Sequence, residues 1–555
     1  MATRSIHDIR KSEARSTGAM ITAEHPLAAE AGARILTAGG NAVDAAIAAA
    51  FAMGVVEPTT SGLGGVAWCV IRQPDGTITT IDGSGAAPVR ATPGMYELQS
   101  TGAAGMYGWP ATAGDAQNVG IRSVGQMGAV GCLCRALERY GTMDRPAVMK
   151  DAIALAADGW EVDWNLTLAL GLYYDRLAPV DASRAIFFRA SGAPLRAATG
   201  FEAGDRLIQR DLADSLRAVA TGGPEALYRG ELGRRIVQDV RSHGGLLTED
   251  DFEQFEVRES PALATEYRGL EVHTLPGASG AITVVEMLRI LDGFELGKTE
   301  ALSPTALHLM AEAQRRAFAD RFTYLADPSV VGTAIYDRLA SAEHAAAARQ
   351  TIDPGRATPT IAATLVPPSS DCTTHVNVVD REGRMIALTT TLGGAFGSGV
   401  VAAGTGIMLG NVMTWFDPRP GLPNSIAGGK RILSAIAPMI LLRDRVPFLC
   451  TGAPGGRRIM SAMLHVLTNI VDWAQAPQDA VNSPRTHCES ADLLVDTRVP
   501  VATRDALAAM GHHVVPRLET FASSHFARPS AILVRGTELR AGVGALKSST
   551  AIGVD

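Results

Sequence analysis

Cysteine is scarce in this chain, which has only six among 555 residues, scattered along the sequence. They are Cys69, Cys132, Cys134, Cys372, Cys450 and Cys488. A small disulfide-stabilised protein has a far higher density of cysteine, and a structural zinc site needs cysteines or histidines at short, regular spacings. The sequence therefore indicates neither a disulfide framework nor a metal site, and it predicts no cofactor.

The chain also lacks an excess of positive charge. Its 50 lysines and arginines are outnumbered by 57 acidic residues, which gives a formal net charge of −7. Proteins that bind nucleic acids or anionic membranes concentrate basic residues on one face. We therefore expect neither kind of partner.

Long apolar runs are missing as well. The most apolar stretch, Ala42 to Val56, is too short to cross a bilayer and contains Asp44. The first residues, Met1 to Ser16, are polar and lack the apolar core of a secretory signal. Because apolar residues make up 46% of the chain and charged residues 19%, a large core is available. These features predict a soluble, cytoplasmic protein.

Nucleotide-binding signatures are absent from the glycine turn at Ser61 to Gly65. The turn has neither the third glycine of a dinucleotide fingerprint nor the Lys-Ser/Thr pair of a P-loop. Elsewhere, periodicity and capping residues such as Ser303 predict an alternation of helices and strands. The predicted helices are Pro26–Thr37, Ala42–Met53, Ala147–Asp158, Pro304–Leu325, Met460–Ala474 and Thr503–Met510, and the predicted strands include Ala67–Arg72, Thr77–Asp82 and Glu266–Thr274.

The most informative stretch is a predicted hairpin between Thr373 and Thr391. Two runs of strand length, Val376–Asp380 and Met385–Thr391, flank a short loop that contains Gly383, which suits a left-handed turn position. If Asp380 pairs with Arg384, Thr373 lies opposite Thr391 with their Cβ atoms roughly 5 Å apart. The register therefore predicts two hydroxyl groups side by side at the open end of the hairpin.

A threonine hydroxyl is a poor nucleophile unless a base removes its proton. Cutting the chain just before the threonine supplies such a base, because the freed α-amine has a pKa of about 8, close to the working pH. On this stretch alone, a strand that happens to begin with two threonines remains the alternative.

Several ordered blocks bear on that choice, since together they resemble the γ-glutamyltransferases, which are self-cleaving N-terminal-nucleophile hydrolases. The similarity extends from about Ile21 to the C-terminus. The blocks are Gly39–Ala46, Ser61–Gly65, Cys372–His375 with the Val-Val-Asp strand that follows, Thr389–Leu392, Leu433–Pro438 and Thr451–Gly456.

The resemblance implies a fold and a cleavage point. The fold is an α/β (α+β) four-layer αββα sandwich. Cleavage between Cys372 and Thr373 gives a large subunit, 1–372, and a small subunit, 373–555, interleaved in one body as a heterodimer. Whether this heterodimer assembles further is left open.

The resemblance also implies roles for individual residues. Thr373 is the nucleophile, with Thr374 as the competing position. Thr391 orients its hydroxyl, unless the two threonines are only an ordinary strand pair. Gly455 and Gly456 offer two backbone N–H groups as an oxyanion hole, for which a plain glycine turn is the alternative. Ser434 matches a serine that contacts the substrate carboxylate.

The chain departs from the family where the family binds an amino-acid head group. Ser84 stands in place of an arginine that holds the α-carboxylate, and Ala435 in place of a second serine. The residues that hold the α-ammonium align with Gly393, Val412 and Trp415. An arginine from elsewhere is a candidate for the missing charge, by residue type alone: Arg122, Arg431, Arg457 or Arg458.

These features predict a self-processing amide hydrolase or acyltransferase that acts on a small acidic amide or a γ-glutamyl-like compound. The link from Phe416 to Arg431 is too short for the lid loop of some members, which indicates an open pocket. Alternatives are hydrolysis of oxamate-type amides, cleavage of a carbon–carbon bond in a biosynthetic pathway, and ordinary glutathione hydrolysis. An inactive scaffold with the same fold is the alternative of another class.

Overall fold

Two seven-stranded sheets, stacked face to face, lie at the centre of the computed structural model, which describes residues 9–100, 107–359 and 373–555. Both sheets are antiparallel throughout. In spatial order, the first sheet consists of Thr550–Val554, Ala19–Ala23, Thr374–Val379, Met385–Thr391, Val66–Arg72, Ile78–Gly83 and Arg258–Pro261. The second consists of Ala14–Ser16, Glu538–Val543, Ser530–Arg535, Val446–Gly452, Met439–Arg443, Leu270–Thr274 and Leu263–Tyr267.

Helices cover the outer face of each sheet and complete the four-layer αββα sandwich that the resemblance implied. On the first sheet these are Pro26–Thr37, Ala42–Val56 and Ala129–Tyr140, and on the second they are Ala281–Leu291, Arg458–Val471 and Pro477–Asn482. The other helices are Arg145–Asp158, Trp164–Leu172, Tyr174–Leu177, Asp181–Phe187, Arg210–Gly222, Glu225–Tyr228, Glu231–Ser242, Glu249–Glu253, Pro304–Tyr324, Pro328–Val331, Ala334–Leu339, Ala342–Gln350 and Val501–Ala509. Short strands at Trp160–Glu161, Arg206–Leu207, Val401–Ala402, Ile407–Met408, Thr486–His487, Asp492–Asp496 and His513–Arg517 form three small sheets.

The helix Ala42–Val56 shows how the sequence fixes this layer. Asn41 accepts hydrogen bonds from the first turn, and the Asp44 carboxylate accepts one from the Asn41 N–H, which completes a capping box. Nearly every residue of the helix is buried, and seven of its fifteen residues are alanine, so its backbone lies close to the sheet. The helix predicted at Ala42–Met53 is confirmed and extends three residues further, to Val56.

Alternation along the strands divides the apolar residues of the first sheet between two cores. Val66, Trp68 and Val70 belong to the core shared with the second sheet. Their neighbours Ala67, Cys69 and Ile71 pack under the helices. The first sheet is therefore buried on both faces, which fixes its register strongly.

The predicted hairpin register is confirmed. Thr374 pairs with Thr390 and Val379 with Met385, and the Asp380 N–H donates to the Arg384 carbonyl at 3.1 Å. Gly383 has a φ of 75°, the left-handed value that the turn requires.

Other boundaries are confirmed or shift slightly. The helix at Pro304 begins, as predicted, with the Ser303 side chain accepting from the Ala306 N–H. The predicted strand Glu266–Thr274 is wrong as a single element, because Arg268 and Gly269, with φ of 52° and 75°, turn the chain into a hairpin. The helix predicted to reach Ala474 ends at Val471, since Ala474 has a φ of 51°.

Each sheet contains strands from both sides of residue 372, so the segments before and after it share both cores. The division of the chain at Cys372 and Thr373 stays a prediction, because Cys372 lies outside the described residues. Within the described ranges, no helix combines the length and the apolar character needed to cross a bilayer.

Close packing between the sheets depends on Gly452. A methyl group at this position would lie within 2.6 Å of three atoms of the His375 ring. We expect Gly452→Ala to cost about 1–3 kcal/mol by overpacking and to lower the melting temperature. Gly171, in an exposed helical position with open space around it, is the matched control. Gly171→Ala should leave the melting temperature unchanged or raise it, and equal losses in both variants would contradict the packing argument.

Candidate active site

The two threonine hydroxyls meet at the end of the central hairpin of the first sheet. Thr373 immediately precedes the strand Thr374–Val379 and is only 3% exposed. Its Oγ1 donates to Thr391 Oγ1 at 3.2 Å, and the Gly393 N–H donates to the same oxygen at 2.9 Å. The predicted pairing is therefore confirmed, and the Thr391 hydroxyl is fixed by two donors.

Thr374 lies on the opposite face of the sheet. Odd-numbered residues of its strand face the second sheet, whereas its even-numbered neighbours Val376 and Val378 belong to the core under the helices. The Thr374 side chain is fully buried, and within the described part of the chain its hydroxyl has no hydrogen-bond partner. The structure thus brings Thr373, and not Thr374, to the hydroxyl of Thr391.

A buried polar ladder continues from the threonine pair along the same face. His375 Nδ1 lies 2.8 Å from Thr389 Oγ1, and His375 Nε2 lies 2.9 Å from Asn377 Oδ1. Because the Asn377 amide nitrogen donates to Ser530 Oγ at 3.0 Å, its oxygen is the acceptor and His375 Nε2 carries the hydrogen. Burial lowers the pKa of His375 to about 4, so the ring is neutral at pH 7.

Sequence reasoning quoted His375 as part of a motif but gave it no role. The sequence did contain the information needed to place His375 on the same face as Thr373, because residues two apart on a strand share a face. His375 therefore lies directly behind Thr373, between the two sheets.

Gly455 and Gly456 connect the strand Val446–Gly452 to the helix Arg458–Val471. Their φ values are 141° and 58°, which suit glycine. Neither N–H donates a hydrogen bond within the described residues. A side chain at Gly455 would collide with Ala527, since a Cβ there would lie 2.4 Å from the Ala527 Cβ. Two backbone donors are thus left unpaired at the positive end of a helix, an arrangement that attracts an anion.

The contact between Gly452 and His375 relates the glycine pair to the threonine pair. Gly452 ends its strand three residues before Gly455, and its missing side chain is filled by the His375 ring. His375 lies two residues after Thr373, on the face that looks toward the second sheet. Both pairs therefore lie at the same end of the stacked sheets.

Arg431 reaches Ser84, the residue that the resemblance aligned with a carboxylate-binding arginine. Its Nη1 donates to Ser84 Oγ at 3.2 Å and lies 3.9 Å from an Asp82 carboxylate oxygen. Ser84 follows Gly83, which pairs with Ala67, and Ala67 pairs with Thr390, so the backbone of Ser84 lies three strands from that of Thr373 in the same sheet. The sequence identified Arg431 as a candidate only because it is an arginine. It could not locate Arg431 beside Ser84, because the two residues are 347 positions apart in the chain.

The positions that bind an ammonium group in the family are blocked or apolar. A Cβ at Gly393 would lie 2.2 Å from Asn411 Oδ1 and 3.1 Å from the Trp415 ring. Trp415 is buried, and its Nε1–H has no acceptor within the described residues. Val412 fills the space beside Gly85 and Gly125. An unpaired N–H donor in an apolar wall favours an acceptor and disfavours a cation.

Ser434 and Ala435 lie in the interior beside the segment Ala278–Gly280. Ser434 Oγ is 3.4 Å from the Ala278 carbonyl, and the Ser434 carbonyl accepts from Arg321 at 2.7 Å. The Ala435 backbone packs against Gly280, which has no room for a side chain. The described contacts of both residues are therefore structural.

The other candidate arginines are held differently. Arg122 donates to the Met95 carbonyl and lies over the Tyr96 ring. Arg457 forms a buried bidentate pair with Glu489, at 2.7 and 2.9 Å, and lies over the ring of Tyr107. Tyr107 in turn contacts Trp415, with ring centroids 6.1 Å apart. Arg458 opens the helix that follows the glycine pair and is buried.

Two clusters outside this site have the residue types that bind metal ions: His308, Glu312 and His512, and Glu286, Asp320 and His344. In both clusters, hydrogen bonds between protein groups explain why these side chains lie close together. His308 Nδ1 lies 2.8 Å from His512 Nε2, and Glu312 binds Arg316 at 2.6 Å. His344 binds both acidic residues of its own cluster.

The sequence profile described as Gamma-glutamyltranspeptidase matches residues 28–554. The chain belongs to the gamma-glutamyltranspeptidase family. The resemblance found in the sequence is thereby confirmed over nearly the whole chain.

Relatives in this family include acylases and glutathione hydrolases. The Acylase ACY 1 proenzyme of Pseudomonas sp. strain SE83 is 37% identical over 507 residues, which cover 91% of this chain and 88% of that protein. The glutathione hydrolase proenzyme of Escherichia coli K12 is 35% identical over 490 residues, covering 85% of this chain and 81% of that protein. The crystal structure of cephalosporin acylase from Bacillus halodurans superposes with a TM-score of 0.87 at 27% identity, over 100% of this chain and 99% of that chain. This gamma-glutamyltranspeptidase family member is therefore an enzyme, an amide hydrolase or acyltransferase.

The neutral His375 predicts an acid-sensitive contribution to the stability of this family member. Between its unfolded pKa of 6.5 and its folded pKa of about 4, the unfolded chain binds a proton that the folded protein does not. Each pH unit of acidification in this window should therefore cost the wild type about 1.4 kcal/mol that His375→Gln does not lose. At pH 7.5 we expect His375→Gln to melt at a lower temperature than the wild type. The difference in melting temperature between the two proteins should narrow as the pH falls toward 4. A gap that is constant between pH 7.5 and 4 would contradict a buried neutral ring.

Proposed function

We propose that this protein is a self-processing hydrolase or acyltransferase whose nucleophile is the amino-terminal Thr373, acting through an acyl-enzyme. The observation that carries the proposal is the contact of Thr373 Oγ1 with Thr391 Oγ1 at 3.2 Å, with Thr391 also held by the Gly393 N–H. It places the Thr373 hydroxyl at the end of the hairpin, on the face that looks toward the second sheet. The proenzyme names of the acylase and glutathione hydrolase relatives support processing.

Processing begins with attack of the Thr373 hydroxyl oxygen on the carbonyl carbon of Cys372. The peptide C–N bond breaks as the C–O bond forms, and the nitrogen becomes the α-amine of Thr373. Water then hydrolyses the ester, which leaves a carboxylate on Cys372 and a free hydroxyl on Thr373. The two fragments stay together because they share both sheets.

In turnover, the α-amine takes the proton of the Thr373 hydroxyl as its oxygen attacks the substrate amide carbonyl. The unpaired N–H groups of Gly455 and Gly456 donate to the oxyanion, and one such donor typically contributes about 3–4 kcal/mol. The C–N bond of the substrate breaks, and the departing amine takes the proton from the α-amine. Water, or an acceptor amine, then attacks the ester and restores the hydroxyl.

The acyl group of the substrate is acidic and lacks an α-ammonium group. Arg431 beside Ser84 supplies a cation for a distal carboxylate, whereas the described side chains of Trp415 and Val412 offer no acceptor for an ammonium. A glutaryl group fits this pattern, since it is a γ-glutamyl group without its amine. The names acylase and cephalosporin acylase among the relatives agree with it. Oxamate-type amides remain the second candidate, because they also lack an α-ammonium.

The nucleophile assignment predicts opposite outcomes for two neighbouring variants. Thr373→Ala should remain one full-length band on a denaturing gel and hydrolyse no substrate, because both steps need the hydroxyl. Thr374→Ala, which alters the hydroxyl on the other face, should still give two fragments that meet at Cys372 and Thr373. Fragmentation of Thr373→Ala at the same bond would contradict the assignment.

The blocked ammonium positions predict a preference between two donors that differ by one amine. We expect kcat/KM for a glutaryl anilide to exceed that for the matching γ-glutamyl anilide by about 100-fold or more, because an unpaired buried ammonium costs a few kcal/mol. Glutathione and oxamate, assayed beside them, show how far the preference extends. Equal or better turnover of the γ-glutamyl compounds would contradict our account of the pocket.

A further inference from the structure

Two arginines lie at the positive end of the helix that follows the glycine pair. Arg457 directly follows Gly456 in the chain and precedes the helix Arg458–Val471, and both arginines are buried. A cation near the N-terminus of a helix is unfavourable, because this end of the helix carries a partial positive charge. A buried cation at this position therefore needs a fixed counter-charge.

Glu489 supplies a counter-charge for Arg457. Its carboxylate accepts from Arg457 Nε at 2.7 Å and from Arg457 Nη2 at 2.9 Å, and both side chains are buried. Burial raises the pKa of Glu489, but Arg457 and His487 outweigh this effect and hold the pKa well below its usual value. Two parallel hydrogen bonds from a planar guanidinium fix its direction as well as balance its charge.

The segment that carries Glu489 is itself anchored to two helices. The N–H of the preceding residue, Cys488, donates to Gln314 Oε1 at 2.9 Å. Ser461, in the helix after the glycine pair, donates to the same oxygen at 2.9 Å. Because Gln314 belongs to the helix Pro304–Tyr324, the carboxylate of Glu489 is held by a rigid part of the fold.

The third nitrogen of the Arg457 guanidinium connects it to the wall that contains Trp415. Nη1 donates to the Tyr107 carbonyl, and the guanidinium lies over the Tyr107 ring, 5.5 Å from its centroid. The same ring contacts Trp415, whose indole lies beside Gly393. Since the Gly393 N–H holds the Thr391 hydroxyl, these contacts form a continuous path from the glycine pair to the threonine pair.

These contacts make Arg457 poorly suited to bind a substrate carboxylate, because Glu489 already balances its charge. They do determine where the chain runs immediately after Gly456. We propose that Arg457, held by Glu489, is a positioning residue that fixes the direction of the two glycine N–H groups toward the oxyanion. The inference rests on the proposed function, which assigns the N–H groups of Gly455 and Gly456 as oxyanion donors.

The test compares two acidic ligands, of which only one forms a tetrahedral centre. In 4-boronobutanoate, boron replaces the acyl carbon of a glutaryl group. The boron accepts an electron pair from the Thr373 hydroxyl oxygen, the hydroxyl proton passes to the α-amine, and one boronate oxygen takes the place of the oxyanion. Glutarate has the same chain length but stays planar at that carbon, so its affinity depends far less on the oxyanion donors.

The affinities of both ligands are measured by calorimetry, and the wild type should bind the boronate more tightly. Glu489→Gln should lower this preference about tenfold or more, because misdirected N–H groups weaken mainly the tetrahedral adduct. Glu489→Gln combined with Arg457→Met should show the same loss, and this double variant leaves no unpaired buried charge that could prevent folding. The matched control combines Glu312→Gln with Arg316→Met, which removes another buried ion pair, of 2.6 Å, and should leave the preference unchanged.

Hydrogen–deuterium exchange separates this inference from the proposed function, because it requires neither chain cleavage nor turnover. The Ile459 N–H donates to the Gly456 carbonyl at 3.1 Å, and the Arg528 N–H donates to the Pro454 carbonyl at 2.9 Å. Both amide hydrogens should exchange about tenfold faster or more in the two Glu489 variants, and at the wild-type rate in the control.

If the wild type does not prefer the boronate, the proposed function fails and the exchange rates still decide the inference. A preference for the boronate that survives in both Glu489 variants would overturn the proposal. Exchange at the wild-type rate in these variants would overturn it as well.

Discussion

The register of the central hairpin is the constraint on which the rest of the site depends. Because Asp380 pairs with Arg384, Thr373 meets Thr391 on the face that looks toward the second sheet. A slip of one residue would bring Thr374 to that face and turn Thr373 toward the helices. Both faces of the sheet are packed with apolar residues, so such a slip would disrupt two cores at once.

The polar ladder behind the threonines is compatible with this dry interior because its groups satisfy one another. His375, Thr389, Asn377 and Ser530 exchange hydrogen bonds between the sheets, and burial keeps the histidine uncharged. Such networks are favourable only when they are complete, and they then specify a single arrangement. The unpaired groups nearby are therefore informative. The N–H groups of Gly455 and Gly456 and the Nε1–H of Trp415 are donors with no acceptor in the described structure, at positions where a substrate would supply one.

Local signals in the sequence predicted much of this arrangement, but they could not predict the contacts between residues far apart in the chain. Turn chemistry at Gly383 and alternation along two strands were enough for the Thr373–Thr391 pair, and the Ser303 cap was enough for the helix that follows it. In contrast, nothing local brings Arg431 to Ser84 or the His375 ring into the space left by Gly452. The turn at Arg268 was missed because an arginine at positive φ gives a weak signal.

The account depends most directly on the identity of the atom that carries the acyl group. An acid quench during turnover of a glutaryl anilide, followed by peptide mapping of the small fragment, locates that atom. We predict a glutaryl ester on the hydroxyl of Thr373, with Thr373 as the first residue of the fragment. An acyl group on another residue, or a fragment that begins at Thr374, would contradict the mechanism.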